Sequence, residues 1–191
     1  MIPRKILTNK FWHHKVYIMK KFFANIKPLW LKITSKKEEI LGKYLIRNAY
    51  TISTTESCTG GLLSSRLTDV SGSSNYVKAN FVTYSYDAKK IILGVNQETL
   101  DKFGAVSEQC AYEMAKGLSE KTHADIAVAT TGIAGPNTDG GKPVGLMYSA
   151  ICYKGKIQVK KFEYSPLISR KNMKFMFTEG VLDFILETIT N

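Results

Sequence analysis

A β-prone run that passes through a pair of glycines into a helix limits what this chain can fold into more than any other feature. Tyr50-Thr51-Ile52-Ser53-Thr54 favours a strand, Thr55-Glu56-Ser57-Cys58-Thr59-Gly60-Gly61 follows, and Leu62-Leu63-Ser64-Ser65-Arg66-Leu67 has helical character. A strand-to-helix junction of this kind belongs to α/β architecture. Glycines let backbone N–H groups come close to a ligand, and a helix N-terminus favours negative charge. On the residues alone, a Ser or Thr here is either a helix cap or a nucleophile, and both readings stand.

The rest of the chain extends the pattern. Ser35, with Glu38 three positions on and Ile40, Leu41, Tyr44 and Leu45 at helical spacing, predicts a capped helix. Strands are expected near 77–84, 125–130 and 144–153, the last joined by Lys154-Gly155-Lys156 to a hairpin partner near 157–164. Short helices are expected over 87–93, ending at Gly94, and over 97–103. Longer ones are expected from a Ser107 cap to about Thr122, and from Ser169 onward with Met173, Phe177, Val181 and Ile185 on a core face. The fold expected is α/β: a single three-layer α/β/α domain with a mixed sheet that includes an antiparallel hairpin.

Net charge is +11 over 191 residues, which by itself suggests an anionic partner. Its distribution narrows that inference, because residues 1–37 hold ten Lys or Arg and no Asp or Glu. Residues 1–35 therefore form a separate unit, with Phe11, Trp12, Tyr17, Phe22, Phe23 and Trp30 interleaved among lysines, ahead of a domain over 36–191. Three readings compete for it: a membrane-surface segment, a nucleic-acid contact, or a poorly ordered extension lying upstream of a start at Met19. Cys58, Cys110 and Cys152 are widely spaced and odd in number, which points to a reducing cytoplasm. With His13, His14 and His123 they make no recognisable zinc pattern.

Several blocks, in order, carry a resemblance: Thr55–Gly61, Thr83-Tyr84-Ser85-Tyr86-Asp87-Ala88-Lys89, Leu93-Gly94-Val95, Gly104–Glu108, Thr131-Gly132-Ile133-Ala134-Gly135-Pro136 and Lys142-Pro143-Val144-Gly145. From about Lys37 to the C-terminus the chain resembles the CinA C-terminal-domain family, whose best understood members deamidate nicotinamide mononucleotide (NMN). The resemblance implies Ser57 as nucleophile, Lys89 as its base and Tyr84 beside them. A lysine acts so only if its pKa falls, and the helix dipole near Lys89 pushes in that direction. Cys58 is the rival nucleophile.

Substrate contacts are implied for Thr59, Gly60, Gly61, Thr131, Gly132, Gly135 and Arg170, with backbone N–H groups of the glycine turn, helped by Thr131, holding the oxyanion. Glu56 would position the turn or a substrate hydroxyl. The chain departs from its relatives at Lys174, where a second arginine is usual, at Ile168-Ser169 in place of Gly-Asp, and at Tyr86-Asp87 in place of Asn-Glu. Lysine lacks the bidentate geometry of arginine toward phosphate. The expected protein is a cytoplasmic NMN amidase that needs no metal or organic cofactor, takes a small nucleotide substrate and forms a homodimer. The alternative is a non-catalytic nucleotide-binding module of the same fold.

Overall fold

The computed structural model describes residues 4–190, with side chains from residue 14 onward. Helix α1 spans Arg4–Thr34 and α2 Lys37–Asn48; strand β1 is Ile52–Glu56, followed by α3 at Leu62–Thr68. Then come β2 (Val77–Val82), α4 (Tyr86–Leu93), α5 (Gln97–Phe103), α6 (Glu108–Thr122) and β3 (Ile126–Gly132). The hairpin β4 (Leu146–Tyr153) and β5 (Lys156–Glu163) leads into α7 (Arg170–Thr190).

The five strands lie in the order β2-β1-β3-β4-β5. β1 runs parallel to β2 and β3, whereas β4 is antiparallel to both β3 and β5. Alternation along β3 separates the two faces. Ile126 and Val128 join Leu41, Leu45, Leu63, Leu67, Phe177 and Val181, so α2, α3 and α7 cover one side. Ala127 and Ala129 join Leu100, Ala111, Met114 and Leu118, so α5 and α6 cover the other. The expected three-layer arrangement is therefore present, with β1 an interior strand between β2 and β3, buried along its whole length.

An interior strand as polar as Ser53-Thr54-Thr55-Glu56 needs partners for its hydroxyls, and two of the three find one, Ser53 Oγ being buried with none among the described residues. Thr54 Oγ1 lies 2.7 Å from Ser64 Oγ, and Thr55 Oγ1 lies 2.9 Å from Thr83 Oγ1. Glycine matters most at Gly117, where a Cβ would stand 1.8 Å from the Leu93 carbonyl oxygen, so α6 passes against the end of α4 only without a side chain.

Two expectations need correction. Ser35 does not cap α2: the residue at that position is Lys36, and no side chain accepts there. The second concerns only secondary structure: no helix is expected ahead of residue 35, and residues 4–34 form one of 31 residues. It is tied down near its C-terminal half. Asn25 Oδ1 accepts from Ser169 N at 3.1 Å and Asn172 Nδ2 at 2.8 Å, and Asn25 Nδ2 donates to the Leu167 carbonyl. The side chains of Lys10, Phe11, Trp12 and His13 lie outside the described residues.

Candidate active site

Three parallel strands end side by side, and the chain leaving each one brings its residues to the same edge of the sheet, where a cleft would form. In open α/β sheets such a cleft beyond the strands' carboxyl ends is the usual ligand position. Glu56, Val82 and Thr130 share one level of the sheet. Ser57 follows β1, Tyr84 and Lys89 follow β2, and Thr131 to Gly135 continue from β3. Parallel pairing therefore unites blocks that lie far apart in sequence.

Lys89 Nζ is 3.1 Å from Ser57 Oγ, 2.8 Å from the Thr83 carbonyl oxygen and 3.3 Å from that of Tyr84. The lysine is 1% exposed, and among the described residues no carboxylate forms an ion pair with it. Burial drives its pKa below the ordinary value, since the charged form loses its hydration. A neutral amine has two N–H donors and one lone pair. With both donors on the two carbonyls, the lone pair is left facing the Ser57 hydroxyl, the arrangement a general base requires.

Glu56 has a task that local reading leaves open. Its carboxylate accepts from Gly61 N at 3.0 Å, Leu63 N at 3.1 Å, Ser64 N at 2.7 Å and the Ser64 hydroxyl, satisfying the start of α3 from inside. The Gly61 N–H is thereby taken, and that of Gly60 donates to the Ser57 carbonyl at 3.1 Å. Neither glycine thus presents the N–H cradle expected of it. Among the described residues, the N–H groups of Cys58 and Thr59 donate to no other residue. The signal for them in the sequence is their place directly after the serine.

Other expected site residues are placed differently from one another. Tyr84 touches Lys89 with its carbonyl, while its phenol, 58% exposed, accepts from Arg170 Nη2 at 3.0 Å. Arg170 also donates from Nη1 to the Gly135 carbonyl. Thr59 pairs its hydroxyl with Thr130 at 2.9 Å and is fully buried. Thr131 donates to the Ala105 carbonyl at 2.6 Å, so its proton is not available to an oxyanion. Gly132 is required by packing instead of by a ligand, because a Cβ there would lie 2.6 Å from the Leu146 carbonyl oxygen. At Gly135 φ is +83°, and a Cβ would meet Val144 at 2.7 Å.

Lys174 comes closer to the turn than its spacing reveals. Its Nζ would lie 3.1 Å from a Cβ added at Gly60, so the absent side chain makes room for the ammonium. Cys58 is 4% exposed, and burial, assisted by Glu56, pushes its thiol up to about 12. A thiol of that acidity is almost wholly protonated near neutrality and is a poor nucleophile.

A family model described as the CinA C-terminal domain matches residues 34–189. The chain belongs to the CinA C-terminal domain family. A competence-damage inducible protein of Clostridium perfringens is 46% identical over 151 residues, covering 78% of this chain and 36% of that protein. A CinA-like protein of Chlorobium limicola is 48% identical over 149 residues, covering 76% of this chain and 35% of that one. The chain thus spans about a third of the length of the curated relatives it matches. Solved CinA-type structures match over most of their own length. The competence/damage inducible protein CihA of Agrobacterium tumefaciens is 39% identical with a TM-score of 0.74, over 80% of this chain and 96% of that one. A CinA superfamily protein of Escherichia coli is 32% identical with a TM-score of 0.76, over 80% and 88%.

Proposed function

We propose that this CinA-family chain is an amidase that hydrolyses the carboxamide of NMN to nicotinate mononucleotide and ammonia. The observation that carries the reading is the buried amine of Lys89, hydrogen-bonded to Ser57 and held by two carbonyls with no acidic partner among the described residues. Ser57 Oγ attacks the carboxamide carbon as Lys89 Nζ takes its proton. The negative oxygen that forms points to the N–H groups of Cys58 and Thr59. The C–N bond then breaks, and Lys89 returns the proton to the departing ammonia. Water, deprotonated by the same amine, hydrolyses the acyl-enzyme ester and releases the carboxylate.

Lys174 and Arg170 supply the positive charge for the nucleotide phosphate, Lys174 beside Gly60 and Arg170 at the rim with Tyr84. Tyr84 acts through position in this scheme: its carbonyl orients Lys89 and its phenol steadies Arg170. Assembly into a homodimer and a cytoplasmic location belong to the same reading. Ammonia release from NMN, measured beside Ser57→Ala and Lys89→Ala, tests it. Loss in both variants, with near-native circular dichroism, is the expected result. A parent chain that binds NMN without turnover would replace the amidase with a nucleotide-binding module.

A further inference from the structure

Helix α1 rests on the body by a narrow face, on which Pro28 is buried and Asn25 holds the start of α7. Its outer face is open. Met19, Phe22, Phe23, Ile26, Trp30 and Ile33 are all exposed, Phe23 at 63% and Trp30 at 62%. At a helical period these six positions fall within one arc of about 100°, and no charged residue between 16 and 34 enters it. Lys20 and Lys27 border the arc on one side, exposed Ile18 and Leu29 extend it on the other, Lys21 lies toward the body, and Lys15 falls in line with the arc one turn before Met19. Residues 4–34 hold eight Lys or Arg and no Asp or Glu.

Apolar area and charge together select the partner. A second α1 would cover the aromatic residues but would set lysine against lysine, with no carboxylate from either helix. A nucleic acid would match the lysines and leave Met19, Ile26 and Ile33 in water. An anionic lipid surface matches both, with the apolar stripe in the headgroup–acyl boundary and the bordering lysines among the headgroups. No described helix is long and apolar enough to cross a membrane. We propose that α1 is an interfacial helix that seats this chain, lying flat, on an anionic lipid surface. The proposal does not depend on the amidase reading, because it uses none of the cleft residues.

Both tryptophans, Trp12 and Trp30, belong to α1, so tryptophan emission reports on this helix alone. The test titrates the full chain with vesicles of phosphatidylcholine alone, and with vesicles of phosphatidylcholine and phosphatidylglycerol in equal amounts. A blue shift and co-flotation confined to the mixed vesicles, and weakened by salt, are expected. Lys20→Gln with Lys27→Gln should lower the partition roughly 25-fold, at about fivefold per lysine. Phe23→Glu should lower it by more than about tenfold. Each substituted side chain is exposed, so circular dichroism should stay native and a loss of binding would not reflect unfolding. Equal binding to phosphatidylcholine alone, or binding to neither vesicle, overturns the proposal. Self-association abolished by Phe23→Glu without vesicle binding would make the face an interface between copies. An emission shift with a single-stranded RNA oligonucleotide, absent with vesicles, would assign it to nucleic acid.

Discussion

Lys89 carries out two requirements that conflict in water: it must be uncharged enough to accept a proton and fixed enough to aim a lone pair. Burial meets the first and the carbonyls of Thr83 and Tyr84 meet the second. A base whose pKa lies below 10.5 is protonated, and so inactive, on the acid side of that lowered value. The kcat/KM for ammonia release should therefore rise with pH through the depressed Lys89 value and fall below it. Lys89→Arg keeps a cation but supplies no base near neutrality, so steady-state assays should show a loss of about 10²–10⁴-fold. Cys58→Ala should leave kcat essentially unchanged, since a buried thiol pushed up to about 12 contributes almost no thiolate. Loss of activity there, with Ser57→Ala still active, would move the nucleophile to the neighbouring residue. The sequence exposes the Ser57–Cys58 choice but not its answer, because burial is what separates the two.

At the scale of elements, the start of α7 is the part of the cleft most open to tuning. Its residues Arg170 and Lys174 reach the Gly135 loop and the Gly60 turn, and Asn25 of α1 holds the neighbouring Ser169 and Asn172. Lys174→Ala should raise the KM for NMN about ten- to hundredfold, the worth of a hydrogen bond to a charged group, with kcat little changed. Nicotinamide riboside, which has no phosphate, should be nearly insensitive to that substitution; an equal change for both substrates would remove Lys174 from the phosphate site. Local signals read these elements well wherever the chemistry was local. Ser107 caps α6 by accepting from Cys110 N, and Gly94 ends α4 in a left-handed conformation, whereas α4 starts one residue earlier than expected, at a Ser85 cap that the sequence reading does not include. Ser35 has the same sequence signature without the same result. Its neighbour Lys36 precedes the helix, and Glu38 instead reaches Arg66 of α3 at 2.6 Å.

Across the whole molecule, a buried charge cluster joins α2, α3 and α7 on the face opposite α6. Arg66 Nη2 lies 2.5 Å from Glu179 Oε1 and 2.6 Å from Glu38 Oε2, with Thr178 accepting from Nη1. Lys37 stands 3.0 Å from Glu179 Oε2, an ion pair without hydrogen-bond alignment. Burial raises the Glu179 pKa, yet Lys37 and Arg66 outweigh it and hold the carboxyl below its ordinary value. The stability this contributes is present above the unfolded-state value of 4.5 and is lost as pH falls through the lower folded value. Glu179→Ala leaves Arg66 buried with less compensation and should cost about 3–5 kcal/mol, or roughly 10 °C in Tm. In thermal melts the deficit should shrink as pH drops through the folded Glu179 value. The sequence by itself determined the α/β order of elements and the blocks that meet at the cleft, because hydrophobic period, caps and turn glycines act over a few residues. Only the tertiary structure decided that Glu56 takes the Gly61 N–H, that Lys89 is desolvated, that Lys174 stands over Gly60 and that residues 4–34 form a helix held by Asn25. Burial, and the allocation of each donor to one acceptor, depend on contacts between segments distant along the chain, which no local pattern records.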